Sequence, residues 1–364
     1  MELMVQKLTD REDKNYNGID LAKFICSVLV VAIHFAPFGT YDSYELNQYI
    51  DFWVQNFLCR IAVPIFFVSS GFFLFKKMSL HCIHYSLIRS YLFRILRLYL
   101  IWSAIYFPLS MYLIINTERD IVKAFVTYGR NFIFIGSFMQ LWYLNALLVA
   151  VSIVSLLLYC KISPKVILFI SFVFYFVGLF AQSWFGFIMP IRSHYPGLWE
   201  VLKSLETLIL TTRNGLFEGF LFVSIGLCIA FYPVKIKHSY AGFCISFALM
   251  FVEVFILHSL DFIRAYDMYL FMVPATYFGF SIIRDMGLKD NAIYATLRVL
   301  SSLVFYIHGW TGTVTRKILE NVNESISHSF LGFLIIIAVT LFFANAIMAV
   351  SHNSRLKWIK NLYG

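Results

Sequence analysis

We count ten stretches of about twenty mostly apolar residues in this chain, and they constrain its fold more than anything else. They run roughly over 20–37, 52–75, 93–115, 141–160, 165–185, 208–231, 240–259, 268–285, 297–317 and 330–350. Some twenty residues of helix cross the 30 Å hydrocarbon core of a bilayer. In lipid every backbone polar group needs a partner within its own segment, so such stretches become helices. Of the 364 residues, 60% are hydrophobic, 13% are charged and 40 are Phe. A soluble domain is about 45–50% apolar and about 25% charged, and could not bury the surplus. The expectation is an all-α, polytopic integral membrane protein in one domain, 1–364, with a short cytoplasmic segment at 1–17. The first run presents His34 and Ala36 where a signal peptide would need small residues, so the first span is expected to be uncleaved. There is no internal repeat and no low-complexity tract. The longest connection, 186–207, holds Pro190, Pro196 and Gly197 and reads as a partly ordered external loop.

With both termini inside, Lys and Arg divide 18 to inner segments and 8 to outer ones, leaving Lys23, Arg60 and Arg213 within spans. The first outer loop, 38–51, has Asp42, Glu45 and Asp51 and no basic residue. This bias accounts for the net charge of +9, so no nucleic-acid partner is implied. The six cysteines (26, 59, 82, 160, 228 and 244) form no CxxC pair and read as small buried hydrophobes. His81, Cys82 and His84 make half a metal site without a second half, so no metal is expected.

The ionisable residues inside the spans need an explanation. His34 lies 14 residues past Asp20, about 21 Å from the cytoplasmic side. Arg60 lies 8 residues past Phe52, about 12 Å from the outside, so the two reach nearly the same depth. Glu218, Glu253 and His308 fall in or near that band, with Arg213 closer to the surface. A charge at a helix centre costs about 2.5–3.5 kcal/mol, so Arg60, Glu218 and Glu253 should face a wet cavity or each other. Asp20, Lys23 and His34 share one helix side, and Asp20 and Lys23 are expected to pair at the inner mouth.

The inner segment from Lys76 to Arg97 holds five Lys/Arg and no acid, including Arg89, Arg94 and Arg97. It serves topology and lipid headgroups, or it lands a phosphorylated ligand, which guanidinium forks suit. Ser69, Ser70 and Gly71 are small enough to let helices pack closely. Trp142 and Tyr143 belong to an outer aromatic belt or stack on a sugar. His308 is a second acid/base group or a hydrogen-bonded packing residue. Arg213 and Glu218 pair with each other or line an acceptor pocket.

Several motifs, in order along the chain, resemble the membrane-bound acyltransferase family 3. NGIDLAKFICSVLVVAIHF (17–35) is similar to its first span, with Lys23 where the family typically has Arg, ten residues before His34. RIAVPIFFVSSGFFLF (60–75) resembles the second span, RILR (94–97) the cytoplasmic Arg-x-x-Arg, and LWYLNALLVA (141–150) a Leu-Trp-Tyr element. SLVFYIHGW (302–310) looks like the late span with Ser, Tyr and His in that order. RNGLFEGFLFVSIG (213–226) looks most like the subgroup containing the membrane domains of serine racemases linked to vancomycin resistance.

The resemblance implies acyl transfer across a bacterial cytoplasmic membrane. Cytoplasmic acyl-CoA, often acetyl-CoA, would be the co-substrate, with no cofactor held permanently. The acceptor would be a hydroxyl or amine of a sugar, polysaccharide or glycolipid at the outer face. On this reading His34 is general base and Arg60 an oxyanion or orienting group. Asp20 and Lys23 position the donor arm, and Arg89, Arg94 and Arg97 hold CoA phosphates. Ser70, Trp142, Tyr143, Arg213, Glu218 and His308 are candidates to contact substrate. Lys23 keeps the charge of the usual Arg but not its two-pronged donor. A transporter of a small polar solute and a non-catalytic partner in envelope assembly are the alternatives. Oligomeric state, including a homo-oligomer, stays open.

Overall fold

A computed structural model of the chain describes residues 15–39, 45–79 and 82–364. A helix stands in each of the ten expected stretches. They are α1 (Asn17–His34), α2 (Ala62–Phe75), α3 (Tyr85–Glu118), α4 (Trp142–Tyr159), α5 (Pro164–Leu179), α6 (Phe220–Phe231), α7 (Ser239–Ser259), α8 (Met272–Asp285), α9 (Ala292–Val322) and α10 (Phe330–Ser351). Seven of the helical stretches, counting Leu46–Phe75 as one, are long and apolar enough to cross a membrane; α5 and Gly215–Phe231 are shorter apolar helices. No strand occurs among the described residues, and the chain is an all-α, multi-pass membrane protein. His81 and the segment 1–14 lie outside the described residues.

Two of the expected spans are broken, and both breaks shape the site. The second is not one helix over 52–75. A helix over Glu45–Asn56 is followed by a 3₁₀ turn, Leu58–Ile61, and only then by α2. Pro64 explains the break: it has no N–H to donate, and its ring crowds the carbonyl four residues earlier, that of Arg60. The sixth span begins with a π-helical turn, Gly215–Gly219, and the residues just before it are not helical. Asn214 caps that turn, its side-chain oxygen accepting from the backbone N–H of Leu216 (2.9 Å) and Phe217 (3.1 Å). Arg213 therefore sits on irregular backbone and Glu218 on a π turn, neither on a regular helix.

Three further expectations change. The third span is longer at both ends, so Arg89 joins Arg94 and Arg97 on the N-terminal part of α3 and does not sit on a loop. The external connection is two short helices, Phe185–His194 and Pro196–Ile209, separated by Tyr195. Only Cys26 and Cys59 are buried; Cys228 is half-buried, and Cys82, Cys160 and Cys244 are exposed. Cys82 and Cys160 lie off the helices, and Cys244 sits on an apolar helix whose sequence does not reveal which side meets lipid.

The bundle centres on α2 and α6, which are buried almost all round. They approach closely because glycines face the crossing: a Cβ on Gly71 would strike the backbone of Val223, and one on Gly226 the backbone of Val68. This assigns Gly71 to packing. Beside this pair α1 lies along α9, α9 along α10, and α7 along α8. The outer sides of α7 and α10 carry exposed rings, among them Phe251, Phe255 and Phe342, as a lipid-facing surface requires.

Candidate functional site

Two polar regions lie inside the bundle. The outer one begins with His34, the last residue of α1. Its ring stacks on His308 of α9, with centroids 5.5 Å apart and planes 20° apart. His308 is fully buried, and its Nδ1–H donates to the Val304 carbonyl at 3.1 Å. That bond fixes the tautomer and leaves Nε2 as a lone pair, which has no hydrogen-bond partner among the described residues. Arg213, Arg60 and Asp267 lie near enough to act electrostatically on His34.

Arg60 reaches this neighbourhood from the 3₁₀ turn before α2. It pairs with Asp267, and its Nη2 donates to Asn56 Oδ1 at 3.0 Å. Arg213 Nη1 reaches the same Asp267 oxygen at 3.2 Å, while its guanidinium lies over the Trp142 ring, 5.0 Å from the centroid. One carboxylate thus ties two guanidiniums that arrive from different parts of the chain. Burial pushes the Asp267 carboxyl up, but Arg213 and Arg60 outweigh it and hold the group below its ordinary value. Sequence reading missed Asp267. Its one signal is an acid in the residue just before the eighth apolar stretch.

Glu218 does not pair with Arg213, whose partner is Asp267. It is buried beside Asp267, Arg213 and Arg60, and its Oε2 has no hydrogen-bond partner among the described residues. Glu253 leaves the site altogether. Its carboxylate accepts from Trp184 Nε1 (2.9 Å) and from the backbone N–H of Leu270 (2.9 Å) and Phe271 (3.0 Å), just ahead of α8. Depth alone had grouped it with the others; its hydrogen bonds make it a structural brace.

The inner region is a cavity of about 840 Å³, walled by α1, α2, α3, α4 and α9. Its size falls within the range of about 300–1,000 Å³ usual for small-molecule sites. Lys23, Arg94 and Arg298 line it, and Lys76 and Lys77 stand at the inner end of α2. Asp20 lines it too, but its partner is Arg298, not Lys23: Arg298 Nε and Nη2 donate to the two carboxylate oxygens at 2.9 and 2.6 Å. This fork-on-carboxylate geometry is one a lysine cannot make, so Arg298 takes Asp20 and leaves the Lys23 ammonium facing the cavity.

Of the three arginines on α3, only Arg94 lines the cavity. Arg89 points to the Phe93 ring, and Arg97 makes only a long contact, 3.5 Å, to the Gly364 carbonyl. Arg94 and Arg97 are neighbours on the helix, but only Arg94 lines the cavity. Trp142 and Tyr143 are buried, at 8% exposure each, and form no outer belt. Tyr143 lines the inner cavity, where its hydroxyl lies 2.9 Å from Ser70 Oγ. Among the described residues no group of three or more His, Cys, Asp or Glu side chains converges on a point.

A family model described as an acyltransferase domain matches residues 16–349. An amino-acid racemase of Enterococcus faecalis is 26% identical over 353 residues, covering 93% of this chain and 47% of that protein. A serine/alanine racemase of Enterococcus gallinarum is 25% identical over 342 residues, covering 92% of this chain and 46% of that protein. The chain spans about half the length of these curated relatives. No solved structure matches.

Proposed function

This chain belongs to the acyltransferase family whose domain covers residues 16–349, and from that premise we propose that it moves an acyl group across the cytoplasmic membrane of a bacterium. The donor is a cytoplasmic acyl-CoA, with acetyl-CoA the first to test. The acceptor is a hydroxyl or amine of a sugar, polysaccharide or glycolipid at the outer face. One observation carries the reading: the cation-lined cavity opens on the Lys/Arg-rich side and ends at Phe305 and Tyr306, while His308 lies two and three residues farther along the same helix. That is about 3–5 Å of helix rise.

In the inner cavity Arg94 and Lys23 hold donor phosphates, and Arg298 is kept in place by Asp20. The pantetheine arm extends towards the stacked histidines. His34 takes the proton of the acceptor hydroxyl as its oxygen attacks the thioester carbonyl. The carbon–sulfur bond then breaks, and the CoA thiolate leaves with the proton that His34 had taken. The products are an ester and free CoA. Arg60, anchored by Asp267, faces the charge that develops on the carbonyl oxygen. The His308 ring stacks against His34 and fixes its plane. No acyl-enzyme is required.

The test uses purified protein and labelled acetyl-CoA, following CoA release and label transfer with lipid-linked sugars present and absent. A positioned base is worth about 10²–10⁴-fold, so His34→Ala should lower the rate by that factor. Unchanged turnover in that variant rejects His34 as the base. A second reading is transport of a small polar solute. It is favoured by the ring contact of Phe305, which lines the cavity, with His308 of the charged cluster, and by relatives named for amino-acid racemization. Solute flux into proteoliposomes without acyl-CoA would select it.

A further inference from the structure

A smaller cavity of about 250 Å³ lies at the Lys/Arg-rich end of the bundle, and none of the outer cluster's residues line it. Helix ends build it. Lys76 comes just past α2, Lys235 lies in the connection from α6 to α7, and Arg284 and Asp285 close α8. Helix ends mark the level of the bilayer's headgroups, because the hydrocarbon layer tolerates only backbone that is hydrogen-bonded within its own segment. A cation at that level meets lipid phosphates and not acyl chains.

The charged wall is fixed in place. Arg284 is buried, and its Nε and Nη2 donate to the two Asp285 carboxylate oxygens at 2.9 and 2.7 Å. Nη2 also donates to the Val234 carbonyl at 3.0 Å, which pins the backbone next to Lys235. The fork neutralises Asp285, so Lys235 and Lys76 are the excess charge of the lining. Lys76 Nζ lies 4.5 Å from the centroid of the Tyr16 ring, a contact that orients the ammonium. Cations that only set topology need no burial and no hydrogen bonds, and Arg284 has both. The opposite wall is apolar: Phe72, Ile229, Pro233 and Val234 line it, and Val234 is 62% exposed, so the wall continues onto the surface of the bundle. Such a wall rewards an amphiphile, whereas a freely soluble anion gains nothing from it. The volume lies below the range of about 300–1,000 Å³ usual for small-molecule sites, so a headgroup enters and its chains stay in the bilayer.

We propose that this cavity binds the phosphate of an anionic phospholipid, with Lys235 and Lys76 meeting the phosphate and the apolar wall taking the lipid's glycerol backbone. The inference does not depend on the acyl-CoA reading, since neither donor nor acceptor enters it. Lys76 and Tyr16 also line the larger cavity, so the two cavities share a wall. The test therefore leaves Lys76 untouched and substitutes Lys235, which is exposed and can change without loss of the fold.

The purified full chain in detergent is titrated with dioleoyl phosphatidylglycerol or dioleoyl phosphatidylcholine, and bound lipid is counted by native mass spectrometry. Glycerol phosphate serves as a soluble competitor. One Lys or Arg beside an anionic headgroup contributes about fivefold, so two should favour phosphatidylglycerol over the zwitterionic lipid by about twentyfold. Lys235→Gln should lower phosphatidylglycerol affinity by about fivefold, and Lys235→Glu by more. Lys161→Glu makes the same change of charge just past α4, outside the cavity lining, and should leave the affinity as it is. Glycerol phosphate should displace the lipid only at a concentration about a hundredfold higher, because it lacks the apolar part. Equal retention of the two lipids by wild type, or an equal loss in Lys161→Glu and Lys235→Glu, overturns the site and leaves these cations to topology. Displacement of the lipid by glycerol phosphate at matching concentration overturns it in favour of a soluble phosphate.

Discussion

Replacing Asp267 with Asn probes the arrangement that ties the outer cluster together. The substitution keeps the shape and one acceptor oxygen, but removes the charge that pairs with both guanidiniums. The Arg60 and Asp267 side chains are 15% and 16% exposed, so their pair is largely desolvated. Removing one member of a buried pair costs about 3–5 kcal/mol. The retained amide oxygen still accepts a hydrogen bond, which brings the expected loss to about 2–3 kcal/mol. Arg213 is 35% exposed, and its contact adds no more than about 0–1 kcal/mol after solvent screening. The total is about 3 kcal/mol, equivalent to about a hundredfold in any step that needs Arg60 in place. Acyl transfer from labelled acetyl-CoA measures the rate, and a melting curve in detergent separates local from global damage. CoA affinity should not change, because Asp267 is not part of the cavity lining. Adding Arg60→Gln removes the stranded charge, so the double variant should transfer no more slowly than Arg60→Gln alone. Wild-type transfer and melting by Asp267→Asn would refute the claim that this carboxylate positions Arg60.

Three further outcomes follow from particular contacts. Arg94→Ala should weaken CoA binding by about tenfold or more, the scale of one charged hydrogen bond, whereas Arg89→Ala and Arg97→Ala should leave it unchanged in the same titration. Glu253→Gln removes the charge that accepts two backbone N–H groups ahead of α8 and should lower stability by about 1–2 kcal/mol in a melting curve, with no change in CoA affinity. Asp267 sits below its ordinary pKa in the fold, so its ion pair contributes fully above the unfolded value of about 3.9 and is lost only as pH falls through the lower folded value. A pH titration of melting should thus show no loss from this pair between pH 5 and 8, on the scale of about 0.5 kcal/mol.

How much of this was legible in the sequence depends on the kind of signal. Most of the spans were readable, because length and hydropathy mark seven of the helical stretches as able to cross a membrane, whatever their packing. Helix rise converts sequence position into depth, and on that ground His34 was expected level with Arg60; the contact His34 makes is with the His308 ring, and Arg60 pairs with Asp267. Depth does not give direction around the axis, however, so Glu253 was grouped with a site from which its hydrogen bonds exclude it. Asp20 was matched to Lys23 because they are three residues apart, whereas its partner Arg298 is 278 residues away and announces itself by nothing local. Asp267 was passed over because an acid in an outer turn has water available and demands no explanation. The break at Arg60 was implicit in Pro64, but a hydropathy count does not register a proline in an apolar run. Trp142 and Tyr143 looked like belt residues because they begin a helix, yet that helix begins inside the bundle.

The most direct test of the account follows acyl transfer in sealed vesicles of known orientation, with labelled acetyl-CoA supplied on one side only. The account predicts label on acceptor facing the opposite side, only when donor is on the Lys/Arg-rich face, and a loss of about 10²–10⁴-fold in His34→Ala. Transfer that ignores the side of donor addition, or that survives the loss of His34, would contradict it.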